Sequence, residues 1–456
     1  MYKYRVTVKE LYQIQLGVEI LQGLFSYEFL HCNTDSKTIK EGETFFAIGK
    51  GNEYIEDALE KGATGCVTEK YLSKEFMQKY PEVMFVKVED SLKTLQNLAA
   101  FKRAVYNIPV VAVTGSVGKT STKDIVATVM SKKYNVLKTE GNFNNHIGLP
   151  LTIMKLDEHD ALVLEMGMNH LGEIETLTDI ARPNIAIITN IGTAHIGNLG
   201  SRENILKAKL EVLKGLQETG TLIINSDCDL LKNWNDNENH SKLFDVLTYS
   251  INENSDLKAE NIKTTEQGTS YEVCYREEDI EVKLPIFGEP FIYNSLAAIG
   301  VASVLRISPQ DVVDALANLK LTKKRMEVVE KNSVKYINDA YNASYESMKY
   351  ALEYLSKTTG KRKIAVLGDM FELGEYAEEL HRKVGKEIEK NNIDILITAG
   401  EFSRYIDEEA KNVKEKIHLK DKNEVVKKLK EIQKEGDVIL IKASNGMKFY
   451  EIVEEL

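Results

Sequence analysis

From Val110 onward the chain alternates continuous apolar runs with stretches of helical period. The runs are VVAVTG at 110–115, ALVLEMG at 161–167, IAIITNIG at 185–192 and GTLIIN at 220–225. Uninterrupted runs of this length, each followed by a helical pattern, predict a parallel sheet covered on both faces. Such sheets bind ligands at the carboxyl ends of their strands. Before Val110 the apolar runs are shorter, ETFFAIG at 43–49, TGCVTE at 64–69 and VMFVKV at 83–88, and they predict a small α/β unit. A helix is expected over 91–105. It should stop at Asn107-Ile108-Pro109, because proline disfavours helical geometry in the residue before it.

The polar stretch at 233–241 reads as a loop, and the less regular strands at 243–285 as a β-rich insertion. After Arg325 the pattern restarts with VKYINDAYN, KIAVLGDM, DILITAG at 394–400 and DVILIKAS at 437–444, which predicts a second, smaller doubly wound sheet. The expected fold is therefore α/β in three domains. Residues 1–106 form a small N-terminal α/β domain, 107–321 a central P-loop doubly wound sheet, and 322–456 a Rossmann-like C-terminal domain.

Length supports that division, since 456 residues at roughly 150 per domain give three. The chain is 43% hydrophobic and 28% charged and has no apolar run of about 18 residues, so membrane insertion is not expected. A net charge of −11 argues against a nucleic-acid surface, and any phosphate must be met by a local site. The opening MYKYRVTVKE lacks the apolar core of a signal peptide, so no export is expected. Cys32, Cys66, Cys228 and Cys274 form no C-x-x-C pair, which suggests neither a disulfide framework nor a zinc site and fits the cytoplasm.

TGSVGKTST at 114–122 follows the run VVAV and precedes a helical stretch. Backbone N–H groups of Thr114, Gly115, Ser116, Val117, Gly118 and Ser121 could cradle a phosphate, with Lys119 as point charge and Thr120 as magnesium ligand. The strict Walker A pattern needs glycine where Val113 stands, so this is a shorter G-x-x-G-K-T-S variant. A chance Gly-Lys-Thr turn is the rival reading, disfavoured by the strand and helix on either side. Glu165 ends the run ALVLE, where nucleotide-binding sheets hold a metal ligand, although a strand-terminal Glu is more often a turn residue. His195 lies past another strand end on the same rim; a lone histidine there is usually structural. ENILKAKLE at 203–211 is helical, and nothing in its period separates Lys207 from Lys209.

The succession of TGSVGKTST, GNFNNHIGLPLT, LEMGMNHLGEIETL, TNIGTAHIGNLGSRENILKAKLE and INDAYNAS resembles the Mur ligases, over nearly the whole chain and most strongly from 110 to 370. The resemblance implies an ATP-dependent amide ligase. Its acid substrate would be a UDP-muramoyl tripeptide and its amine D-alanyl-D-alanine, joined through an acyl phosphate by a monomer. It implies that Lys119 binds the ATP phosphates and that Thr120 and Glu165 hold one magnesium. Glu165, His195 and a carbamylated Lys209 would hold a second, which makes Lys119, Lys209 and His195 the catalytic set. Asn294 corresponds to the adenine contact, and Arg325 and Asp339 to ATP contacts from the last domain. Ser36, Lys37, Asn144, Asn145 and Asn342 correspond to substrate contacts.

Three departures leave open a related ligase that joins another acid and amine. Lys37 replaces the family's arginine, Tyr345 replaces a proline, and Ala443-Ser444-Asn445-Gly446 replaces Gly-Ser-Arg-Gly. A nucleotide-dependent switch is the rival from another class. It would need the guanine-reading Asn-Lys-x-Asp motif, which is absent, and would give Glu165, His195 and Lys209 no role.

Overall fold

The computed structural model describes residues 4–237, 244–320 and 324–456. Its central sheet has seven strands, in the order Leu257–Lys258, Asp245–Ser250, Thr221–Asn225, Ile185–Ile188, Val110–Thr114, Ala161–Glu165 and Val136–Lys138. Every pairing is parallel. Alternate residues of Val110–Thr114 feed two cores. Val110 and Ala112 pack with Leu95, Leu98 and Leu149, while Val111 and Val113 pack with Ile125, Val126 and Leu296. Each fully buried Val or Leu contributes about 1.5–3 kcal/mol by leaving water, which is why the interiors of these runs carry no polar residue. Val110–Thr114 lies where the strand order reverses, so the loop that follows it opens into the crevice at the switch point.

The N-terminal five-stranded sheet runs Glu19–Gln22, Met84–Lys87, Gly65–Thr68, Thr44–Phe46, Cys32–Asn33, with only the first pair antiparallel. The helix Ser91–Val105 joins it to the central sheet. The Asp90 side chain caps its start by accepting the Lys93 N–H at 2.8 Å. The C-terminal sheet has six strands, Glu327–Lys331, Val334–Asn338, Asp437–Lys442, Arg362–Gly368, Ile395–Ala399 and Glu415–Leu419. Only its first pair is antiparallel, a hairpin turned by Asn332 and Ser333 at φ 51° and 60°.

Two expectations need correction. Asp245–Ser250 and Leu257–Lys258 extend the central parallel sheet, and the antiparallel insertion is confined to Glu260–Thr265, Gly268–Tyr275 and Glu278–Leu284. The start of the supposed loop at 233–241 belongs to the helix Asp229–Asn237, because Leu231 and Trp234, three residues apart, bury one face. Its remainder, 238–241, lies outside the described residues, as does the expected boundary at 321/322.

Candidate functional site

The loop after Val110–Thr114 turns sharply because two glycines allow it. Gly118 has φ 87°, and a Cβ on Gly115 (φ 141°) would lie 2.0 Å from Thr189 Oγ1. The loop rests on the segment after Ile185–Ile188. Ser116 Oγ accepts the Gly192 N–H, the Val117 N–H donates to Asn190 Oδ1, and the Val117 carbonyl accepts from Thr189 Oγ1. Lys119 opens the helix Lys119–Met130 and folds its Nζ back onto the carbonyls of Gly115 and Ser116, at 2.8 and 3.2 Å. Thr120 Oγ1 donates to Glu165 Oε2 at 2.7 Å, and Asn144 Nδ2 donates to Glu165 Oε1 at 2.8 Å. Arg325 Nη2 arrives from the C-terminal side and donates to Thr120 Oγ1 at 2.7 Å, its guanidinium lying over the Tyr341 ring.

These groups face a cavity of about 500 Å³ between the central and C-terminal sheets. Its wall also includes Ser121, Asn145, His195, Asn294, Asp339 and Asn342, so most of the expected site residues converge. Asn145 Oδ1 accepts the N–H groups of Ile147 and Gly148 at the start of the helix Gly148–Met154. Asn294 Oδ1 accepts from Thr122 Oγ1 at 3.0 Å, beside Gly118. Asp339 is held by Lys442, whose Nζ donates to its Oδ2 at 2.6 Å.

Five expected residues lie off the wall. Thr114 Oγ1 donates to the Met166 carbonyl beneath the loop, and Gly115 packs against Thr189. Ser36 is buried in the N-terminal unit, near Asp57, while Lys37 is exposed in a turn closed by its own N–H to Asp35 Oδ1. Lys209 is wholly buried and its Nζ has no hydrogen-bond partner, whereas Lys207 is exposed. Burial pushes the Lys209 amine well below its ordinary pKa, and the charge of Lys119 pushes the same way against Glu165, Glu173 and Glu211.

Sequence reasoning missed four contributors. Lys442 was legible as a lysine at the end of a buried run. Phe287 and Tyr354, stacked at 4.0 Å on the same cavity wall as Asn294, gave no local signal. Glu372, whose Oε2 lies 2.5 Å from His195 Nδ1, stands in LGDMFELG at 367–374, a stretch that also resembles the Mur ligases but assigned it no role. Among the described residues no three His, Cys, Asp or Glu side chains converge as a ready-made metal cluster.

Comparison with known proteins agrees with this geometry. The Mur ligase middle domain matches residues 113–302, and the Mur ligase, glutamate ligase domain matches 324–445. The UDP-N-acetylmuramoyl-tripeptide–D-alanyl-D-alanine ligase of Bacillus subtilis (strain 168) is 37% identical over 93% of this chain and 92% of its own. The Escherichia coli (strain K12) enzyme of the same name is 34% identical over 93% and 92%. A crystal structure of MurF from Acinetobacter baumannii superposes with a TM-score of 0.88 at 26% identity, covering 100% of this chain and 99% of that one. MurF from Thermotoga maritima in complex with ADP gives 0.80 at 30% identity, over 94% and 97%. With this similarity along nearly its whole length, and the phosphate loop, strand-end carboxylate and cross-domain arginine in one cavity, the chain belongs to the Mur ligase family.

Proposed function

We propose that this protein is the ATP-dependent ligase that adds D-alanyl-D-alanine to UDP-N-acetylmuramoyl-tripeptide, a cytoplasmic step in peptidoglycan precursor synthesis carried out by a monomer. The observation that carries the reading is the meeting of Lys119, Thr120 and Glu165 with Arg325 from the opposite domain, in a cavity large enough for a nucleotide. The acid's carboxylate oxygen attacks the γ-phosphorus of ATP, the bond to the bridging oxygen breaks, and ADP departs. The amine nitrogen of the dipeptide then attacks the acyl carbon, inorganic phosphate leaves, and the nitrogen loses a proton.

The chain's part is positioning and charge. Lys119 and the N–H groups of the loop from Thr114 to Ser121 bind the phosphates, and Asn294 faces the base. Arg325 and Asp339 complete the nucleotide site from the C-terminal domain, and closure keeps water from the acyl phosphate. Ser36 and Lys37 of residues 1–106 hold the UDP end of the acid. Asn144, Asn145 and Asn342 border the space where acid and amine meet.

Magnesium fits this donor set, since Thr120 and Glu165 offer the hard oxygens it prefers. His195 and Lys209 would complete two sites. Burial without a partner shifts the Lys209 amine toward its uncharged form, the form that takes up carbon dioxide to become a carbamate with release of a proton. Thr120, Glu165, His195 and a carbamylated Lys209 would hold the metal, which would supply positive charge to offset that of the phosphates.

The test is trapping. With ATP and UDP-N-acetylmuramoyl-tripeptide alone, hydroxylamine should capture a hydroxamate of the acid. No hydroxamate, or product only from ATP with the dipeptide, refutes the order and the domain assignment.

A further inference from the structure

The loop that follows the strand Arg362–Gly368 has no part in the steps above, yet each of its residues is pinned. The Asp369 carboxylate accepts the N–H groups of Glu401, Phe402 and Ser403 at 2.9, 3.0 and 2.6 Å. The Met370 N–H donates to Nε2 of the wholly buried His381, whose Nδ1 lies 2.6 Å from the Ala377 carbonyl, so that ring carries its proton on Nδ1. The Phe371 N–H donates to Ser444 Oγ at 2.8 Å. Glu372 is thereby aimed out of the C-terminal domain at the central one, where its carbonyl accepts the Gly197 N–H at 3.1 Å.

The opposing surface is built to receive it. Gly197 and Gly374 meet so closely that a Cβ on Gly197 would lie 2.5 Å from Gly374 N. Glu346 holds the same central loop through the Thr193 N–H and hydroxyl, at 2.8 and 3.1 Å. Glu372 and His195 are both non-glycine residues in the left-handed region, at φ 64° and 65°, and their side chains meet at 2.5 Å. The contact is close without being in line, and Nδ1 has no other partner.

We propose that Glu372 is a positioning residue for His195: from the C-terminal domain it accepts the Nδ1 proton and so leaves Nε2 free to ligate, but only when the two domains meet. Metal-ligating histidines commonly hand their second N–H to a carboxylate, which fixes the tautomer and the ring orientation. Here that carboxylate sits on the other domain, so closure and completion of the metal site become one event. The inference rests on the reading of His195 as a magnesium ligand.

The test uses the full chain with Glu372→Gln, Glu372→Ala and Glu372→Gly, beside His195→Ala. In metal-free protein with the β,γ-imido analogue of ATP, the ¹⁵N shifts of His195, assigned by its loss in His195→Ala, should report the Nδ1–H tautomer. That state should persist in Glu372→Gln, which keeps an acceptor, and be lost in the Ala and Gly variants. The magnesium concentration for half-maximal turnover should rise about 10-fold or more in the latter two. Glu372→Gly should keep or raise thermal stability, because glycine relieves the left-handed strain. Wild-type shifts and magnesium requirement in Glu372→Ala would overturn the proposal even if His195→Ala needs more magnesium. A Glu372→Gly protein that loses stability along with activity would overturn it too, making Glu372 structural. An unchanged magnesium requirement in His195→Ala would instead remove the ligand reading itself.

Discussion

Replacing Lys209 by methionine should make the protein more stable and inactive. The lysine amine is wholly buried and has no hydrogen-bond partner. Leaving a polar group in that state costs about 1–3 kcal/mol, and methionine keeps most of the stem's apolar contacts while removing the amine. For a domain of about 200 residues each kcal/mol moves Tm by about 2–4 °C, so Lys209→Met should melt about 2–12 °C higher. The comparison belongs in degassed, bicarbonate-free buffer with EDTA, so that neither carbamate nor metal stabilises the wild type. Its pH dependence has a definite sign. The folded amine resists protonation, whereas the unfolded one binds its proton below a pKa of about 10.4. Wild-type stability therefore falls as pH drops through that value toward the folded pKa, and the advantage of Lys209→Met grows over the same window. Scanning fluorimetry from pH 7 to 11 reads the effect, and a ligase assay with magnesium and bicarbonate reads the loss of activity. Lys207→Ala, on the exposed side of the same helix, is the control and should match wild type in both. A Lys209→Met protein that melts lower, or turns over within a factor of two of wild type, refutes the reasoning.

Three further outcomes are expected. Lys119→Ala should fold normally and lose activity by on the order of 100-fold, because a charge that stabilises the moving phosphoryl group is worth about 3 kcal/mol; turnover within twofold of wild type would remove Lys119 from the site. Millimolar acetate or formate should partly restore Lys209→Ala by supplying an oxygen donor, and a mass increase of about 44 Da on wild-type Lys209 in bicarbonate is the independent check on the carbamate. Asn294→Ala should raise KM for ATP more than it lowers kcat, since Asn294 lies beside the phosphate loop on the cavity wall and does not contact Glu165 through a hydrogen bond; equal KM values measured by phosphate release would place the base elsewhere.

Much of the fold was readable from local order along the chain, for a physical reason. A strand buried on both faces excludes polar residues from its interior, so Val110–Thr114, Ala161–Glu165, Ile185–Ile188 and Thr221–Asn225 announce themselves without their partners. The helix Ser91–Val105 is equally local, capped by Asp90 and followed by Pro109. The phosphate loop is legible because one turn joining a strand to a helix carries the whole device. What needed the tertiary structure lies where chemistry depends on residues remote in sequence. The edge strands Glu327–Lys331 and Glu415–Leu419 are half exposed and lack the apolar signal, and their place comes from the neighbour they pair with. Lys209 shares a buried stripe with Ile205, Ala208 and Val212, yet Leu206 and Leu210 widen the apolar arc enough to hide which lysine turns inward. Arg325 reaches Thr120 across 205 positions of chain, and Glu372 meets His195 from another domain. The local sequence specified the parts of a phosphate site; packing one sheet against another decided which lysine is buried and which carboxylate faces the histidine.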